Sequence, residues 1–349
     1  MTKYINSKKS HKKTARKLAV YIIFISAILI SFCLYTISKL NQSLNETVAV
    51  EVPEHSSATE SIEIVNSKGL LQPLWLFKLI AYTYLALDKK YIYAGFYKFP
   101  PKTSNLEILQ SITSSRNIYT ISVTFPEGIT IERFAEILAS KLGIIPNEFL
   151  KLCRSDSVLR YWKIPAKSLE GYLMPNTYKF YYKQEAGEIL ARLIKTQNSL
   201  WTRNFESMAK KSGKSRHEIL TLASIIEVET PVLKERKRVA GLYYNRLRIG
   251  MRLEADPTVR YGLNLKRKLT YSDLKIENPY NTYLSTGLPP GPINCPGESS
   301  IEAALNPEKN DYIYFVSIGD GSGKHNFSTS YQQHLINKRQ FKKNEKRLE

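Results

Sequence analysis

Residues 222–230 read LASIIEVET and place a carboxylic acid, Glu227, at the end of an apolar run just before Pro231. Burying a carboxylate beside Ile225 and Ile226 costs solvation energy, which favours the neutral acid. A neutral acid so placed can hand a proton to a departing glycosidic oxygen. The same residues also fit a plain helix-end glutamate bridged to Lys234 or Arg238, since structural ion pairs are common.

The flanking residues say which elements must hold Glu227. Ser215 and Glu218 (S-R-H-E) form a capping box, so a helix is expected from about Arg216. Ile219, Leu222, Ala223 and Ile226 recur at helical spacing and define its buried face. Glu227 shares a stripe with Leu220, Ala223 and Ser224 at the edge of that face. Pro231 disfavours helical geometry at Thr230, so Glu227 falls in the last turn, where the negative end of the helix dipole also favours the neutral acid. Thr230 and Pro231 are read as N-cap and first residue of a second helix reaching about Arg248, with Gly250 at its end.

The chain of 349 residues has room for an anchor and two folded parts. Residues 18–38 are uncharged, mostly Ile, Leu, Val, Phe and Ala, and long enough to span a bilayer. Lys3, Lys8, Lys9, Lys12, Lys13, Arg16 and Lys17 precede them without an acid. That asymmetry puts the N-terminus in the cytoplasm and the remainder across the cell (inner) membrane. No small-x-small site follows the apolar run, and Phe32 precedes Cys33, so an uncleaved anchor is expected.

Residues 41–67 are polar and read as a linker. Helical patterns over 70–88, 104–114, 130–142 and from Pro146 alternate with strand patterns over 91–99 and 118–125. From about Leu169 the texture turns aromatic, with helices over 186–202 and 216–248 and a loop over 251–262. Residues 278–298 are rich in Pro and Gly and read as a rigid loop. A strand over 312–317, a Gly-rich turn over 319–324 and a helix over 331–341 close the pattern. The expected division is a basic tail (1–17), an anchor (18–38), a linker (39–68), a small α+β module (69–155), a mixed α/β catalytic domain (156–342) and a basic tail (343–349), so the fold class is α+β.

The formal net charge of +20 suits an anionic partner such as wall polymer or lipid headgroups. Nucleic acid is not expected, because the anchor separates it from most of the chain and no binding motif is present. Cys153 and Cys295, if exported, are able to pair in a disulfide, for which two unpatterned cysteines are weak evidence; the five histidines have no metal-ligand spacing, so no metal or cofactor is expected.

Five long motifs then carry a resemblance: EGYLMPNTY (170–178), LASIIEVET (222–230), NRLRIGMRLEADPTVRYG (245–262), NPYNTYLSTGLPPGPI (278–293) and YFVSIGDGSGKHNFST (314–329). In order and spacing, across about 70–340, the chain resembles the membrane-anchored endolytic murein transglycosylases, or YceG-like family. The resemblance implies cleavage of the β-1,4 bond between N-acetylmuramic acid and N-acetylglucosamine within nascent glycan strands, which limits their elongation. The product would end in a 1,6-anhydro muramoyl residue, because the sugar's own C6 hydroxyl replaces water. Glu227 matches the family's catalytic glutamate, and residues 69–155 resemble its LysM-like subdomain. Peptidoglycan strands, the bilayer and peptidoglycan synthases are the implied partners.

Tyr280, Asn281, Thr282 and Tyr283 combine aromatic faces with amide and hydroxyl donors, which suits sugar binding. Asn245, Arg246, Asp256 and His325 are further candidates for substrate contact. Two positions depart from the family pattern: Asn176 stands where Asp is usual, and Glu254 where a neutral residue is. Two other readings use the same residues. One is a wall-binding scaffold without activity. The other is a muramidase that uses water, with Asp256, Glu229 or Glu254 as the second carboxylate.

Overall fold

The computed structural model describes residues 2–53, 56–88, 91–114, 118–182, 184–201 and 203–348, and the chain divides into two compact units between Thr120 and Ile121. The first unit opens with one long helix, α1 (Thr2–Leu40). Its stretch Arg16–Leu40 is long and apolar enough to cross a bilayer and contains the expected span. Ile22, Phe24 and Leu29 are exposed along it, as a helix that meets lipid requires.

Then follow β1 (Val48–Val52), α2 (Ala58–Ser67), α3 (Leu74–Asp88), β2 (Gly95–Phe99) and α4 (Asn105–Ile112). Residues 41–67, expected from their polarity as linker, thus supply a strand and a helix. Glu46, Glu51, Glu60 and Glu63, which make the segment look solvated, face outward, while Val50, Val52, Ile62 and Val65 turn inward at strand and helix spacing. β1 pairs antiparallel with β2 in the register Val50↔Tyr97. Phe77, Tyr97, Phe99, Ile108 and Ile112 complete this unit's core. Capping boxes start both α2 (Ser57, Glu60) and α4 (Ser104, Glu107).

The second unit runs β3 (Thr120–Thr124), α5 (Ile131–Leu142), α6 (Pro146–Cys153), α7 (Asp156–Tyr161), β4 (Thr177–Tyr181), α8 (Ala186–Leu200) and α9 (Arg203–Ser212). It continues with α10 (Arg216–Glu229), α11 (Leu233–Arg248), α12 (Asp256–Gly262), α13 (Glu298–Leu305), β5 (Tyr314–Ser317), β6 (His325–Ser328) and α14 (Tyr331–Leu348). β3 pairs with β4 and β5 with β6, so helices pack around small two-stranded pieces in a mixed α+β unit. Thr202, in the expected helix 186–202, and Glu349, in the expected basic tail, lie outside the described residues.

The expected break after residue 155 does not divide the two units. Phe134 of α5 and Phe149 of α6 share one core with Phe180, Ile219 and Ile226, which ties both helices to the later chain. α10 is the helix at the centre of this core. Its residues from Ile219 to Glu227 are all buried, so it is enclosed on every side instead of carrying one apolar stripe. Ser215 and Glu218 cap it as expected, with the Ser215 hydroxyl accepting from Glu218 N and the Glu218 carboxylate accepting from Ser215 N at 2.8 Å. Ser215→Ala should lower unfolding stability by about 1 kcal/mol, read as a shift in denaturant midpoint; an unchanged midpoint would remove the cap from the account.

Candidate active site

Glu227 ends in the last turn of α10, only 9% exposed, and both its carboxyl oxygens accept. Arg236 Nη2 lies 2.7 Å from Oε1 and Nη1 3.4 Å from Oε2, while the Gly297 N–H donates to Oε2 at 2.9 Å. The partner is therefore Arg236, not Lys234 or Arg238. Lys234 is exposed, and Arg238 donates to Glu308 at 2.8 Å. The reason is the phase of α11. Thr230 and Pro231 form the turn, with the Thr230 hydroxyl accepting from Val232 N, and the helix starts at Leu233 behind Val232 as N-cap. The side chain of Arg236 also donates to Ser299 and lies 3.5 Å from Glu127.

Two tight loops close over the acid. In the turn Pro126-Glu127-Gly128, Gly128 has φ +75°, and a Cβ there would lie 3.2 Å from Glu227 Cγ. Gly128 N donates to Cys295 O, which docks this turn on the Pro- and Gly-rich loop. That loop is fastened to α10 in turn. Ile293 N donates to the Ser224 hydroxyl at 3.0 Å and the Asn294 amide to Ser224 O at 2.7 Å. His217 bridges Pro290 O and the Tyr172 hydroxyl, so α10 organises two of the sequence motifs at once.

Beside Glu227 runs a cleft of about 850 Å³. Gly128 and Val228, its neighbours in space and in sequence, line it together with Pro257, Tyr261, Tyr280 and Asn294. The rings of Tyr261 and Tyr280 meet at 5.0 Å. Glu132, Arg133 and Glu136 of α5 edge one part of the cleft, and Arg260 and Lys266 another.

The other residues chosen from the sequence land in different places. Tyr280 lines the cleft. Asn281 is buried and donates to Leu274 O and Ile276 O. Thr282 is buried and accepts from Ala255 N, while the Tyr283 hydroxyl donates to Asp256 Oδ1 at 2.7 Å. Asn245 donates to Asn310 O and Tyr312 O, and Arg246 to Ile313 O and Leu253 O. His325 pairs with Glu235 at 2.9 Å. The Asn176 side-chain oxygen accepts from Thr177 N at 2.7 Å, a bond that either an amide or a carboxylate can make. Arg236, Gly128 and Gly297 carry no signal in the sequence, because each matters only through a neighbour distant along the chain.

Two further acids are held differently. Glu170 is buried, and loss of solvation with Glu132 nearby pushes its carboxyl up to about 8, opposed by the Ile131 N–H, Cys295 and Tyr261. Glu229 accepts from the Tyr243 hydroxyl at 3.0 Å, and its burial pushes it up to about 7. A carboxyl raised in the folded state keeps its proton after the unfolded chain has lost it, so stability falls as pH rises through that window. For Glu170 the loss starts near its ordinary value of 4.5 and is complete above about 8. Glu170→Gln should therefore flatten this decline, measured as denaturant midpoint against pH, with a smaller slope left by Glu229. An unchanged slope would show that Glu170 is not neutral in the fold.

Buried acids beside a large open cleft with tyrosine rings in its wall, Glu227 foremost among them, are the pattern of an acid/base enzyme acting on a polymer such as a glycan. The chain matches the model of the YceG-like family over residues 50–340 and belongs to that family. It is 32% identical to a protein of Bacillus subtilis (strain 168) named endolytic murein transglycosylase, over 79% of this chain and 80% of that protein. It is 26% identical to a protein of the same name from Streptococcus pneumoniae serotype 2 (strain D39 / NCTC 7466), over 82% of this chain and 57% of that longer protein. A crystal structure of a YceG-like protein from Listeria monocytogenes superposes with a TM-score of 0.58 at 31% identity, over 83% of this chain and 98% of that one.

Proposed function

We propose that this chain is a membrane-anchored endolytic lytic transglycosylase, with Glu227 as its one acid/base. Membership of the YceG-like family, with relatives named endolytic murein transglycosylase, supports a lyase that acts on peptidoglycan. The observation that carries the assignment of Glu227 is its place next to two residues of the cleft wall, Val228 in sequence and Gly128, whose added Cβ would lie 3.2 Å from Glu227 Cγ. Neutral Glu227 protonates the glycosidic oxygen as an oxocarbenium-like charge develops at the muramoyl C1. The resulting carboxylate takes the proton of the C6 hydroxyl as that oxygen closes on C1. One residue serves both steps, so Asp256 need not supply a second carboxylate.

The cleft accepts the strand in this reading. Tyr261 and Tyr280 offer ring faces to the sugars. Asp256 and Tyr283 form a pair near the start of α12 that orients this part of the wall. Asn281 and Thr282 brace backbone beside the cleft-lining Pro257 and Tyr280, whereas Asn245 and Arg246 fasten the approach to β5 onto α11, and His325 of β6 pairs with Glu235 of the same helix. Residues 69–155 are the LysM-like glycan contact, the basic N-terminus faces the cytoplasm, and the chain after the apolar stretch of α1 lies on the other side of the membrane. Mass spectrometry of peptidoglycan digested by the purified chain tests the function. New anhydro-muramoyl ends support it; reducing ends would assign a hydrolase, and no cleavage a scaffold.

A further inference from the structure

We infer that Arg236 is a positioning residue that meets the negative charge Glu227 acquires midway through the reaction; this rests on the acid/base reading above. In the first step the proton of Glu227 passes to the glycosidic oxygen. The bond from that oxygen to C1 breaks, and its electron pair stays with the oxygen. In the second step the C6 oxygen bonds to C1 and its proton returns to Glu227. Between the two steps Glu227 carries a full negative charge. Donors fixed on its oxygens hold that charge while the strand is already bound, so they raise turnover without tightening substrate binding.

The geometry fits that task. Arg236 Nη2 and Gly297 N each face one carboxyl oxygen, at 2.7 and 2.9 Å. The Arg236 side chain is 6% exposed, and its Nη1, 3.4 Å from Glu227 Oε2, also donates to Ser299 of α13 and lies 3.5 Å from Glu127 in the Gly128 turn. Its Nε has no hydrogen-bond partner among the described residues, so the terminal nitrogens alone orient it. Glu127 explains how a buried cation tolerates an acid that must begin neutral. When Glu227 carries its proton, Glu127 remains as counter-charge, and Arg236 is never a lone buried ion.

The test compares full-length wild type, Arg236→Lys, Arg236→Met and the double variant Arg236→Met with Glu227→Gln, acting on purified glycan strands. The Met variant should lose about 100-fold in kcat with KM changed less than about twofold. The products should still be anhydro ends. Lys should recover part of the loss, because a point charge meets one oxygen and not two. The double variant should melt closer to wild type than the sum of the single losses, since neither charge is left alone. A wild-type kcat in the Met variant, a loss confined to KM, or simply additive melting shifts would overturn the proposal. Should Arg236→Met fail to fold, the Lys variant and the double variant decide it: wild-type kcat for Lys, or no recovery of folding in the double variant, overturns it. If wild type itself makes no anhydro ends, the acid/base reading fails instead, independently of every variant.

Discussion

Glu227→Gln should lower the rate of anhydro-end formation by about 1,000-fold, within the range seen when a general acid is removed. Gln has nearly the same shape and still accepts one hydrogen bond, from Arg236 or from Gly297 N, but it has no proton to give. Its amide nitrogen must face one of those two donors, which weakens the network. A stability loss of about 1–3 kcal/mol should therefore accompany the loss of activity, partly offset because Glu127 stays beside Arg236. Counting anhydro ends by mass spectrometry, with a melting curve for each protein, separates the two effects. A folded Gln variant that keeps a tenth or more of the wild-type rate would take the acid/base role away from Glu227.

Gly171→Ala should cost about 2–4 kcal/mol of unfolding stability from two independent sources. Gly171 sits at φ +82°, where a Cβ is strained, and that Cβ would lie 2.4 Å from the Pro292 Cβ. Pro292 directly precedes Ile293 and Asn294, which fasten the Pro- and Gly-rich loop to Ser224 of α10. Relief of the clash would move that loop off the helix bearing Glu227, so activity should fall with stability. Gly187→Ala is the control. Gly187 lies in α8 with nothing within 4 Å of the added Cβ and no left-handed φ. It should change stability by about 0.5 kcal/mol or less. Equal denaturant midpoints for the two variants would refute the steric account.

The start of α10 was legible because a capping box is a local signal of four residues, and Ser215 and Glu218 bond as written. The long apolar helix was legible for a similar reason: uninterrupted apolar length is a property of the segment alone. The hairpin of β5 and β6 follows from its Gly-rich turn, with Tyr314 facing Ser328. By contrast, β1 and α2 were hidden by the acids on their outer faces. Composition averages over both faces of an element, whereas burial acts on one. The partner of Glu227 was misjudged through a shift of two residues in the start of α11. At 3.6 residues per turn, two residues rotate a helix by about 200°, enough to exchange Lys234 and Arg238 for Arg236 as the residue facing α10.

The sequence by itself determined which helix carries Glu227 and where that helix begins and ends. Propensity, capping and the break at Pro231 act over a few residues and need no partner. Tertiary structure alone decided what surrounds the acid. Arg236 comes from the next helix, Gly297 from the start of α13, and Gly128 from a turn about a hundred residues earlier in the chain. Those contacts follow from how α10 is enclosed on every side. Enclosure depends on the volumes and angles of all its neighbours together, which no local spacing encodes.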